Sequence, residues 1–311
     1  MIRVLRAGAY TTVQDRGRRG WQRDGVPVGG AMDDAALRLA NALVNNPPNA
    51  AVLEATLRGP TLAFEVDSYV AITGADMDAR IDDRRLATWW AAPIRAGQTL
   101  TLDMSRAGCR SYIAIQGGID VPVVLGSRST YVRAALGGLD GRALKRGDML
   151  SVMSPGAEGP SLSRGIDIRH LDLQREVVRM IDGPHLERLD RTSRRALFSA
   201  PFAMRPESDR MGLRLAGPRL ILASGDEPLS AGVAVGSVQL PPSGDPIVLM
   251  ADRQTIGGYP RLGDVATVDL PILAQMRPGE SIRFEQVGAA EAEVLYLARE
   301  HEMERIELFL R

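Results

Sequence analysis

Apolar residues in this chain come in short runs broken by glycine, proline and polar side chains. YVAIT at 69–73, RSYIAIQ at 110–116 and PIVLM at 246–250 are rich in aliphatic and β-branched residues. Runs of that length between turn-forming residues predict strands, so the pattern as a whole predicts a mainly β protein with a few helices. Two segments carry a helical period instead. DDAALRLANALVNN, 33–46, places Leu37, Ala40, Leu43 and Val44 at helical spacing, with Asp33 or Asp34 available as N-cap and Pro47-Pro48 as the stop. A second helix is predicted from Ala289 to Leu310, with Val294, Leu297 and Ala298 on one side.

The connector richest in glycine, serine and proline is SPGAEGPSLSRG, 154–165, which divides the chain into residues 1–155 and 165–311. Three pieces of the first half echo pieces of the second, in the same order. LRGPTL (57–62) matches LAGPRL (215–220), IQGGIDVP (115–122) matches TIGGYP (255–260), and KRGDMLSV (145–152) matches RPGESIRF (277–284). Ordered echoes of this kind predict an internal duplication. Each half then reads as a closed or nearly closed β-barrel, which leaves no strand edge exposed.

At 311 residues, 45% hydrophobic and 24% charged, each half is large enough for a core of its own. Lys and Arg number 38, as do Asp and Glu, so no net field favours nucleic acid or an anionic membrane. The arginines of RGRRGWQR (16–23) read as a local solvated face. The one cysteine, Cys109, reads as a small core residue in a reducing compartment. MIRVLRAGAY lacks the apolar stretch of a signal peptide, and no run is long enough to span a bilayer. A cytoplasmic protein is expected.

The familiar self-contained signatures are missing. There is no G-x-x-x-x-G-K-[ST] phosphate loop and no G-x-G-x-x-G opening a helix. His170, His185 and His301 lie far apart, outside any zinc-binding spacing. LGSRSTY around Ser127 is not a G-x-S-x-G elbow. What remains are polar clusters on glycine-rich corners: 11–33, then LGSRSTY (125–131) with LGGLDGR (136–142), then SDRMGLRLAG (208–217) with GSVQLPPSGDP (236–246) and ADRQTIGGYPRLGD (251–264). In the last stretch Asp252, Arg253, Gln254 and Thr255 follow a buried run directly and precede Gly257 and Gly258. A hairpin needs the glycines but not the four hydrogen-bonding side chains. Such a corner is either a loop braced by Asp–Arg pairs or the lip of a site for a small polar ligand.

TTVQDRGRRGWQRDGVPVGGAMD, LEATLRGPTLAFE, IQGGIDVPVVLGSRSTY and SVQLPPSGDPIVLMADRQTIGGYP resemble, over about residues 2–288, one family. It is the family of biotin-dependent carboxyltransferases, allophanate hydrolase subunit 2 and the 5-oxoprolinase C subunit, which includes KipA-type proteins. The resemblance implies two cyclophilin-like β-barrel domains. It implies one component of an ATP-dependent 5-oxoprolinase that converts 5-oxo-L-proline to L-glutamate with a KipI-like B subunit and a LamB/YcsF-like A subunit. With no phosphate loop in this chain, ATP is expected to act through the complex. Two alternatives stay open: a urea carboxylase-type carboxyl transfer, with biotin carried on another chain, and a KipA-like regulatory binder antagonising a kinase inhibitor. On this resemblance Asp252, Arg253, Gln254 and Tyr259 are the expected catalytic residues. Gln239, Arg210, Thr255, Gly257, Gly258, Ser127, Arg128, Ser129 and Thr130 are expected to bind substrate, Gln254 or Gln239 matching an amide and Arg253 or Arg210 a carboxylate.

Overall fold

The computed structural model describes residues 1–154, 163–168, 176–223 and 228–310. Most of the connector 154–165, and His170, lie outside the described residues. The chain forms two units. One gathers Met1–Arg19, Gly29–His170 and Glu302–Arg311; the other gathers Gly20–Val28 and Leu171–His301. Two short segments therefore cross the single cut expected between 155 and 165.

In the first unit a seven-stranded and a six-stranded sheet share one core. Ile2, Val4, Leu62, Phe64 and Leu100 come from one sheet and Val13, Leu53, Ile72 and Ile113 from the other, all essentially inaccessible. The strand Ala107–Ile115 pairs on both edges, with Ser68–Asp76 and Val52–Thr56. Helix α1, Asp34–Leu43, contacts two of these strands, and Thr73 Oγ1 donates to Ala36 O at 2.7 Å. A strand covered on both faces needs no polar side, which is why RSYIAIQ reads as a continuous rather than an alternating apolar run. Asp33 caps α1, accepting from Ala36 N at 2.9 Å, and Arg164 donates to the helix-end carbonyls of Ala42 and Leu43.

The second unit is a closed barrel of seven strands. The parallel pair Val177–Asp182 and Ser281–Gln286 closes it, and the rest of the ladder is antiparallel. Val178, Leu213, Val238, Val248 and Phe284 fill the interior. Helices α2, Arg191–Ser199, and α3, Leu270–Gln275, are short. Two barrel-like units in a mainly β chain are what the pattern of short runs predicted. No helix among the described residues is long and apolar enough to cross a membrane.

The duplication is visible in the pairing. In the first unit Tyr10–Gln14, Val52–Thr56, Ala107–Ile115 and Ser68–Asp76 lie side by side, all antiparallel. In the second, Phe202–Met204, Gly212–Ala216, Ile247–Leu249 and Ser237–Gln239 do the same. In both runs the third neighbour comes last in sequence. The echo KRGD/RPGE is one turn used twice. Asp148 N donates to Lys145 O and Glu280 N to Arg277 O, while Gly147 N reaches Val4 O and Gly279 N reaches Met204 O, each at 2.8 Å. The acidic side chains close the turn, Asp148 accepting from Lys145 N at 2.8 Å and Glu280 from Arg277 N at 2.9 Å. The glycine-pair echo is not of this kind. Gly117 and Gly118 are left-handed (φ +91° and +80°), whereas neither Gly257 nor Gly258 is.

Helix α4, Ala289–Phe309, forms as expected, but its apolar side is not where the spacing put it. Val294 and Leu297 are 65% and 58% exposed, and Ala298 is exposed too. Ala292, Met303 and Glu307 are the buried positions. The helix has no dominant apolar stripe, so tertiary contact rather than period chose its buried side.

The shared turn yields a test. Gly147 and Gly279 have φ of +93° and +90°, and a Cβ at either would meet nothing within 4 Å. Gly147→Ala and Gly279→Ala are therefore expected to cost only the left-handed backbone penalty, about 1–2 kcal/mol each. Urea unfolding of the two variants measures this, and the two losses should match.

Candidate functional site

The buried strand Ile247–Leu249 lies between Gly212–Ala216 and Ser237–Gln239, so its end is delivered to a fixed point on the barrel rim. Met250 N donates to Met211 O and Asp252 N to Arg210 O, which ties the corner 250–253 to the loop at 210. The side chains repeat the tie. Arg210 grips Asp252 with two parallel bonds of 2.9 and 3.0 Å, and both groups are more than nine-tenths buried. This fork is a brace. Asp252 pairs with Arg210 and not with its neighbour Arg253, and Arg210 is thereby committed instead of being available to a substrate carboxylate.

Arg253 is left in a different state. It is half-buried and donates only to Val233 O at 3.3 Å and Met250 O at 3.5 Å. No carboxylate among the described residues lies within ion-pair reach of it. Burial pushes its pKa down, the sign of a guanidinium short of solvent and counter-charge.

Gln239 is 2% exposed, and its Nε2 is buried with no hydrogen-bond partner among the described residues. Its Oε1 accepts from Gln254 Nε2 at 3.5 Å, the outer limit of a bond. A Cβ on Gly257 would stand 2.4 Å from Gln239 Nε2. Glycine there leaves room for the close approach of that amide, and it is not needed for backbone conformation, since the backbone is not left-handed. Val233 N bonds Thr255 O, and Ala231–Gly232 pairs with Ile256–Gly257, so the polar corner is pinned as a two-stranded flap.

A cavity of about 660 Å³ opens beside this flap, lined by Gln254, Gly257, Gly258 and Tyr259. Arg219 also lines it, with walls of leucine, isoleucine and proline. Of the residues expected here, these four of the flap line it, Gln239 sits behind Gly257, and Asp252 and Arg210 brace the corner. Arg219 is not among the residues expected from the sequence: LAGPRL stands out there only as an echo of LRGPTL, and its one signal is the arginine standing where the first half has Thr61.

Ser127, Arg128, Ser129 and Thr130 belong to the first unit. Three of them are braces. Asp15, 2% exposed, accepts from Ser127 Oγ at 2.6 Å, Ser129 Oγ at 2.5 Å, Arg128 N at 2.6 Å and Gly17 N at 2.8 Å. Three of these donors share Oδ1 and one reaches Oδ2. Thr130 donates twice to Val13 O and accepts from Gln14 Nε2. Only the Arg128 side chain points away from this knot. Among the described residues no three His, Cys, Asp or Glu side chains gather where they could hold a metal ion.

Residues 24–286 match the model of the carboxyltransferase domain, subdomain A and B. The chain belongs to this family. It is 44% identical to the 5-oxoprolinase C subunit of Escherichia coli (strain K12), covering 94% of this chain and 93% of that protein. It is 39% identical to the 5-oxoprolinase C subunit of Haemophilus influenzae, covering 98% and 97%. The crystal structure of Kluyveromyces lactis urea carboxylase superposes with a TM-score of 0.90 at 29% identity; it covers 98% of this chain, which spans 29% of that one. The likeness in fold thus extends over both units of the carboxyltransferase domain.

Two measurements follow. Arg210→Ala would leave Asp252 buried without its partner and is expected to cost about 3–5 kcal/mol in denaturant unfolding. Arg253→Ala removes no ion pair and should unfold close to the wild type. The second concerns His185, whose Nδ1 accepts from Arg261 N at 3.0 Å and so anchors the strand leaving the flap. Burial of the ring, with Arg188 nearby, pushes its pKa below 6.5. The folded state therefore prefers the neutral ring. This contribution to stability is complete above about pH 6.5 and is lost as the pH falls from there through the lower folded value. His185→Gln should flatten that part of the stability–pH curve.

Proposed function

We propose that this chain is the C subunit of an ATP-dependent 5-oxoprolinase, working with a KipI-like B subunit and a LamB/YcsF-like A subunit. The observation that carries the reading is reciprocal coverage. The chain and the two proteins named as 5-oxoprolinase C subunits match over nearly the whole of each, whereas it spans 29% of the urea carboxylase. Opening the lactam adds water across its C–N bond and builds negative charge on the carbonyl oxygen. The flap supports that chemistry. The amide of Gln254, backed by Gln239 at 3.5 Å, lines the cavity and supplies a donor for a carbonyl oxygen and an acceptor for a lactam N–H, in a site partly screened from water. Arg253, lacking a carboxylate partner, stands next to Gln254 as a positive charge outside the cavity lining, and Arg219 and the phenol of Tyr259 line the cavity itself. Asp252 and Arg210 act by holding these groups in place. The chain carries no G-x-x-x-x-G-K-[ST] phosphate loop, and in this reading ATP acts through the complex.

Carboxyl transfer to an amide, with biotin on another chain, is the second reading. The superposition with urea carboxylase favours it, and the same amide-holding groups would serve. The KipA-like regulatory role has no feature of the structure in its favour. The assay is L-glutamate release from 5-oxo-L-proline with ATP, the three chains added singly and together. Turnover is expected only in the mixture. Arg253→Ala or Gln254→Ala in the mixture should lose about 1.5–3 kcal/mol of transition-state stabilisation, read from kcat/KM. Full turnover by this chain alone would exclude the proposed assembly, and biotin-dependent carboxylation of urea without glutamate release would favour the second reading.

A further inference from the structure

The first unit holds a cavity of about 810 Å³, bounded by the loop Asn45–Ala50 after α1, the turn at Gln116 and Gly117, and Met153. Two arginines line it. Arg38 is buried against Glu307 at 2.9 Å and adds no net charge. Arg128 is half-buried, and the bonds that hold its guanidinium are few: Nε donates to Val121 O at 3.1 Å, and Nη2 meets Met153 Sδ at 3.5 Å. A thioether is a weak acceptor. No carboxylate among the described residues lies within ion-pair range of Arg128.

Other arginines of this unit are differently placed. Arg16, Arg80, Arg95 and Arg142 each meet an aspartate within 3.1 Å. Arg164 has no such partner, but its guanidinium is spread over the carbonyls of Ala42, Leu43 and Leu310 and the Asn45 side chain. Arg128 has one carbonyl and one sulfur. Its base is nonetheless fixed, because Arg128 N is held by Asp15 and both neighbouring serines bond the same carboxylate. The wall opposite is rigid too: Asn46 bonds Ile115 O, Asn41 Oδ1 and Gly117 N. A positive fork with spare donors, held in place at the edge of a cavity, is built to receive two oxygens of one group.

We propose that Arg128 forms a binding site within the first unit for the oxyanion of a small molecule, a carboxylate or a phosphate. The proposal is independent of the function assigned to the flap of the second unit. In this site Arg128 takes the oxyanion through the guanidinium N–H groups not engaged by Val121 O, and the asparagine-rich loop faces the rest of the molecule.

The test uses the full chain and three probes: inorganic phosphate, L-glutamate, and the neutral lactam 2-pyrrolidinone. Calorimetric titration is paired with the arginine side-chain N–H resonances in the wild type, which need no variant. Phosphate or L-glutamate should bind and shift the Arg128 signal, and 2-pyrrolidinone should not. Tighter binding of phosphate identifies a phosphate-bearing ligand; tighter binding of L-glutamate identifies a carboxylate. Arg128→Gln should weaken the preferred anion about tenfold to a hundredfold, with Arg128→Lys between it and the wild type. Thermal melting of each variant checks that the fold survives. No shift of the Arg128 signal with either anion, or unchanged affinity in a folded Arg128→Gln, would overturn the proposal.

Discussion

A strand that leaves a closed sheet must satisfy its backbone at once, because there is no solvated edge along which to fray. In the second unit, a closed barrel, a buried aspartate meets that demand, and in the first a buried aspartate follows an edge strand and ties two loops together. Asp252 accepts the Arg210 fork while its own N–H bonds Arg210 O, and Asp15 collects four donors from two loops. Taking either carboxylate out of water is costly unless it is paired or hydrogen-bonded, so each aspartate dictates where its loop runs. The polar corner at 250–253 of this carboxyltransferase-family chain is in this sense a consequence of barrel closure.

That constraint divides the arginines by role. Arg210 and Arg142 are consumed in holding turns, and Arg164 in capping a helix. Arg128 and Arg253 have only weak or neutral acceptors, and both stand on loops whose main chain is already fixed. Rigid support with unspent hydrogen-bonding capacity is what a binding group needs, since little ordering cost remains when a ligand arrives. Gln239 follows the same logic: its amide is buried, its Nε2 is unsatisfied, and Gly257 leaves it room.

The duplication shows how far local chemistry can be read. KRGD and RPGE make the same turn because a left-handed glycine followed by an acid closes a turn through contacts within four residues. The two glycine pairs look as similar on paper but do different work. Gly117 and Gly118 bend the chain, and Gly257 admits the side chain of a residue eighteen positions earlier. Nothing local distinguishes them.

Short apolar runs, their turn residues and the caps offered at 33–34 were enough to place the strands at 69–73, 110–116 and 246–250, the first helix and the mainly β character, because each depends on neighbours a few residues apart. The crowding of polar side chains at 252–259 likewise marked a special corner. Which of those side chains are braces and which are available was decided only by the tertiary structure. Arg210 and Arg253 are chemically the same residue, equally plausible beside an anion. The barrel brings Arg210 onto Asp252 across 42 positions and leaves Arg253 with carbonyls. Ser127, Ser129 and Thr130 were assigned to substrate for the same reason, and Asp15 and Val13, more than a hundred positions away, claim them. Charge pairing is a property of distance in space, and the pairing of strands far apart in sequence sets that distance.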